Sequence, residues 1–109
     1  MSIWRVPAVE KDPVIKLEDW SVLSIPSLEG KGRERHFIGY NPSGYEGRVS
    51  SRIIKYNSKT KVGVTRSGRK YKLTGPSGMD RDADYVWAQW ARFNKVDPKQ
   101  VVNVTNEYV

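Results

Sequence analysis

The sequence predicts a small α+β domain, a twisted antiparallel sheet of about five or six short strands with one amphipathic helix packed on its apolar face. Three observations carry this. Short runs rich in β-branched and aromatic residues fill much of residues 14–73, punctuated by Gly, Pro, Asn and Ser. A single later segment, about residues 82–94, repeats its apolar positions at helical spacing. One more weakly alternating stretch follows it. Closure of the strands into an SH3-like or OB-like barrel is the alternative architecture.

Each element has a local reason. Residues 1–13 read as an extended arm, since Pro7 and Pro13 disfavour helix, with Trp4 as its anchor to a single domain at 14–109. Residues 14–17 form a short strand. Residues 20–27 form another, carrying Trp20, Val22, Leu23 and Ile25 and ended by Pro26. After the polar loop 28–34, residues 35–40 form a further strand carrying His36, Phe37, Ile38 and Tyr40. In the turn Asn41-Pro42-Ser43-Gly44, proline fixes one φ and glycine supplies a positive one.

Residues 49–56 are the next strand, and the adjacent Ile53 and Ile54 predict a bulge that switches its faces. Residues 61–66 and 70–73 then form a hairpin around the two-residue loop Ser67-Gly68, pairing Arg66 with Arg69, Val64 with Tyr71 and Val62 with Leu73. In that register the valines, Tyr71 and Leu73 point inward, while Lys61, Lys70 and Lys72 point outward. Gly63 marks a bulge or a close backbone approach.

Asp80, Asp82 and Asp84 crowd the start of the helix, where they cap amide donors, and Arg92 and Lys95 sit at its end. Val86, Trp90 and Phe93 are its inward stripe, flanked by Ala83 and Trp87, and Pro98 stops it. Residues 101–109 read as a last strand with Val102 and Val104 inward.

Charge is the sequence's most uneven feature. The net charge is +7, yet nine of the basic residues fall between Gly47 and Met79, a stretch without a single acid. The remainder holds ten basic and twelve acidic residues. Such a segment attracts polyanions or acidic protein surfaces. The plainer explanation is that these are solvated strand positions that resist edge pairing.

Several chemistries are disfavoured. There is no cysteine, which removes disulfides, thiolate metal sites and thiol nucleophiles. The start of the chain lacks the apolar core of a signal peptide, and no run approaches the roughly 20 apolar residues of a membrane span. A cytoplasmic protein is expected, with no membrane partner. His36 is the only histidine and cannot build a two-histidine metal site. With Arg33, Arg35 and a tyrosine it could cleave RNA by proton transfer, a minor alternative. Asp80, Asp82 and Asp84 resemble the start of a calcium loop but lack its glycine and distal glutamate. Gly75-Pro76-Ser77-Gly78 lacks the Gly-Lys-Ser/Thr ending of a phosphate loop. No metal, cofactor or reaction is expected.

The expectation is therefore a non-enzymatic binding protein that contacts nucleic acid through a basic hairpin face. Its candidate residues are Arg48, Arg52, Lys55, Lys61, Arg66, Arg69, Lys70 and Lys72, with Tyr45, Tyr56 and Tyr71 placed to stack on bases. The alternative partner is an acidic protein surface, for an accessory or inhibitory protein of a bacterium, phage or plasmid, or a second copy of the chain.

Overall fold

The computed structural model describes residues 14–109; the arm at 1–13 and its Trp4 anchor lie outside the described residues. Among the described residues there are seven strands and one α-helix: β1 (Val14–Pro26), β2 (Arg33–Asn41), β3 (Glu46–Val49), β4 (Ile53–Asn57), β5 (Val62–Thr65), β6 (Lys70–Leu73), α1 (Arg81–Phe93) and β7 (Val102–Asn103). The strand order is β3-β2-β1-β6-β5-β4, with β7 paired to β1. The expected α+β class holds, and the sheet is not closed into a barrel. It is mixed rather than purely antiparallel, because β1 runs parallel to β6 and antiparallel to β2.

β1 organises the sheet. The two short strands expected at 14–17 and 20–27 are one 13-residue strand, bent where the register shifts between Glu18 and Ser21. Asp19 takes the bend at φ 46°. Before it, Ile15 and Leu17 pair beside Tyr71 and Leu73; after it, Val22 pairs with Phe37. The bend curls the two halves of the sheet around one core of Ile15, Leu17, Trp20, Val22, Phe37, Tyr71, Leu73 and Tyr108. Phe37 is its centre, with the rings of Tyr56, Tyr71 and Tyr108 at 6.1, 5.9 and 6.1 Å. Such tilted aromatic pairs add about 0.5–1.5 kcal/mol each beyond their buried area.

The strand expected over 49–56 is broken. Ser50 is buried and ties the break to β2: its N–H donates to the Phe37 carbonyl, and its hydroxyl accepts from the Phe37 N–H. The chain crosses there to the other half of the sheet and resumes as β4, whose register shift between Ile53 and Lys55 is the expected bulge. In the turn after Asn41, the positive φ falls on Tyr45 at 52°, not on Gly44.

The β5–β6 hairpin departs from its expected register by one residue. Val62 pairs with Lys72, Gly63 with Tyr71 and Val64 with Lys70. The Thr65 N–H donates to the Arg69 carbonyl and the Gly68 N–H to the Thr65 carbonyl, so the loop is Arg66-Ser67-Gly68. Gly68 at φ 88° supplies the left-handed residue that such a three-residue loop requires. The slip turns β5 over. Gly63 and Thr65 face the core, and Val62 and Val64 face outward among lysines.

α1 starts at Asp80, whose carboxylate accepts from the Ala83 N–H at 2.9 Å. The helix packs on β2 and β3, the reverse side of β2 from the aromatic core. Its inner face is Ala83, Val86, Trp87 and Trp90, whereas Phe93, expected inward, is 86% exposed. The last strand shrinks to β7, flanked by 3-10 turns at Pro98–Gln100 and Thr105–Glu107; Val102 is exposed and Val104 half-buried. Among the described residues, no helix is long and apolar enough to cross a membrane.

Candidate basic interface

Strand pairing assigns the charges to faces. Partners across a ladder share a face, so the outward positions of the β1–β6–β5–β4 half form two rows. One row is Val14, Lys70, Val64 and Lys55; the other is Lys16, Lys72, Val62 and Asn57. The four lysines are exposed on this face. Lys16 and Lys72 are direct neighbours, and Lys70 and Lys55 lie two strands apart, roughly 10 Å at ordinary strand spacing. No aromatic ring stands in either row.

Of the eight candidate residues, Lys55, Lys70 and Lys72 are thus brought together. Arg66 and Arg69 stand at the adjoining hairpin end, where Arg66 is ion-paired with Glu29 and the Arg69 carbonyl closes the loop. The other three point elsewhere. Arg48, on β3, is half-buried, donating Nε–H to the Tyr71 hydroxyl at 3.2 Å and Nη1 to Glu46 at 2.7 Å. Burial weighs most heavily on its charge, but the Tyr71 and Glu46 contacts outweigh it, and its pKa lies above the ordinary arginine value. Lys61 sits at φ 62° and turns its Nζ to the Tyr108 carbonyl. Arg52, in the break before β4, lines a hollow with Arg33 and Arg35.

Two of the expected stacking tyrosines face inward. Tyr71 is buried, and Tyr56 donates its hydroxyl to the Tyr108 carbonyl at 2.9 Å. Tyr45 is exposed but belongs to the β2–β3 turn, away from the lysine rows. Sequence reasoning missed Lys16. Its signal was the alternation Ile15-Lys16-Leu17, but its neighbour Lys72 comes from a parallel pairing that local pattern does not reveal.

His36 is buried, 2% exposed. Its Nδ1–H donates to the Ser50 carbonyl at 2.7 Å, since a carbonyl only accepts, and its Nε2 lies 2.6 Å from Glu34 Oε2 with a proton held between them. The Trp90 ring covers it, with centroids 4.7 Å apart. The imidazole therefore ties β2 to the helix and offers no nitrogen to a substrate. Trp90 stacks on Trp87 at 5.2 Å, and Trp87 lines an apolar groove of about 710 Å³ with Ala88, Ala91 and Val101. Asp80, with Asp82 and Asp84 in the first turn, caps α1.

No protein family, curated protein or solved structure matches the chain.

Proposed function

We propose that this domain is a non-enzymatic nucleic-acid-binding protein, and that its contact surface is the outward face of β1, β6, β5 and β4. The observation that carries the reading is the alignment of Lys16, Lys55, Lys70 and Lys72 in two adjoining rows, with only valine and asparagine between them. In water lysine charges repel by only ~0.4 kcal/mol at about 10 Å and ~0.8 kcal/mol at the roughly 5 Å between neighbouring strands, so the fold tolerates the cluster unaided. A polyanion laid across it gains several phosphate contacts and releases their counterions. With no aromatic ring among the described residues of the two rows, contacts go to the backbone, and little sequence preference is expected. The engagement of both His36 nitrogens supports a reading without proton-transfer chemistry.

Fluorescence anisotropy with labelled single- and double-stranded DNA and RNA, at two salt concentrations, tests this. Salt-sensitive binding to one of these forms supports the reading and identifies the form. No binding at moderate salt makes the lysines a solubility feature. The alternative is then a protein-interaction module, which has its own support in the edge of β4 that has no strand beside it among the described residues, where a partner strand can add.

A further inference from the structure

A second group of cations lies where the curled sheet stays open. β4 ends the strand order, so among the described residues one of its edges has no strand beside it. That edge looks across a hollow of about 360 Å³ toward the start of β2, and Arg33, Arg35, Arg52 and Lys55 line the space. Its size is at the lower end for small-molecule sites, with room for a phosphate and part of what carries it.

We infer that this hollow is an oxyanion site that takes a phosphate dianion, free or carried on a monoester. The donors argue for it. Glu34 also lines the hollow, but its Oε1 accepts from the Leu28 N–H and its Oε2 shares a proton with His36. Arg33 is held through Nε and Nη2, on the Ser24 hydroxyl and the Ser24 and Gln100 carbonyls, which leaves Nη1 to donate. Arg35 is held through Nη1, on Glu107 and the Tyr108 hydroxyl, which leaves Nε–H and Nη2. Arg52 is half-buried, and its guanidinium has no ion pair or hydrogen bond among the described residues.

The Arg33 Nη1 donor and the Arg35 fork are thus oriented by bonds on their other N–H groups, and the Arg52 fork is uncommitted. Guanidinium forks match phosphate oxygens in pairs, and pre-oriented donors lose little freedom on binding. A doubly charged tetrahedral anion uses all three better than chloride or a single carboxylate does. The site shares only Lys55 with the lysine face and does not depend on nucleic-acid binding there.

Titration calorimetry of the full chain, with inorganic phosphate and with uridine 5′-monophosphate at an ionic strength fixed by chloride, tests the inference. Saturable binding is expected, weakened about tenfold or more by Arg52→Gln, since a charge-assisted bond is lost. Arg52→Lys keeps the charge but loses the fork, and also weakens binding. A triple variant of Lys16→Gln, Lys70→Gln and Lys72→Gln keeps full affinity. Tighter binding of the nucleotide makes it the source of the phosphate; equal affinity makes free phosphate the ligand, and both support the site. No saturable binding, full affinity in Arg52→Gln, or loss of affinity in the triple variant would overturn it. A far-ultraviolet circular dichroism melt shows that each variant is folded.

Discussion

The ring of Phe37 occupies the space that a side chain at Gly63 would need: a Cβ built there would stand 2.3 Å from the Phe37 Cζ. This contact chooses the face of β5. With Phe37 at the centre of the aromatic core, the strand can turn only Gly63 and Thr65 inward, and Val62 and Val64 go out to the lysines.

Gly63→Ala should therefore destabilise the domain by about 1–3 kcal/mol, the usual cost of overpacking a filled core. Urea unfolding measures it. In a Phe37→Leu background the penalty of Gly63→Ala should shrink, because the ring it meets is gone. An equal penalty in both backgrounds would separate the two residues.

What was legible in the sequence follows from the range of the forces involved. The helix ends were read closely because capping is local: Asp80 and the acids after it sit within one turn of the amides they serve. The hairpin was placed, but its face was not. Alternation in β5 fits Val62 and Val64 inward as well as Gly63 and Thr65, and the residue that decides between them, Phe37, belongs to a distant strand. Phe93 fits the helical stripe, yet α1 packs along β2 and β3 rather than over the sheet's aromatic core, and that docking leaves Phe93 in solvent. The candidate face was legible in Lys55, Lys70 and Lys72. Lys16 joins them through a parallel pairing, which no turn in the sequence announces.

Gly47 makes the corresponding contact for the helix. A Cβ there would lie 2.3 Å from the Asp82 carbonyl carbon and 2.4 Å from the Ala83 nitrogen, both backbone atoms that cannot rotate away. Gly47→Ala should push the start of α1 off β3, costing about 1–3 kcal/mol. Because Trp90 covers His36 beneath the same helix, a change in tryptophan fluorescence of the folded state should accompany the loss. Unchanged stability and fluorescence would contradict this packing.

Tyr56 makes alkaline stability depend on its phenol. Burial first, and the nearby Tyr108 phenol second, raise its pKa above the ordinary 10.0. Above pH 10.0 the unfolded phenol loses its proton while the folded one retains it, so the folded state binds more protons and stability falls as pH rises. The contribution is fully present below that pH and is lost as pH passes the raised value. Tyr56→Phe removes the bond to the Tyr108 carbonyl, at a cost of about 1 kcal/mol at neutral pH. The stability gap between wild type and variant should narrow as pH rises from about 10. A constant gap would show that the phenol does not titrate differently on folding.

The lysine face carries the functional account, and the salt dependence of nucleic-acid affinity reads it most directly. Affinity for whichever form binds best would be measured across a salt series for the wild type and for a variant with Lys16, Lys55, Lys70 and Lys72 all changed to Gln. Each phosphate contact contributes roughly 0.7–0.9 to the slope of log affinity against log salt, so removing four should flatten it by about 3 units. An unchanged slope with unchanged affinity would contradict the account and assign those lysines to solubility alone.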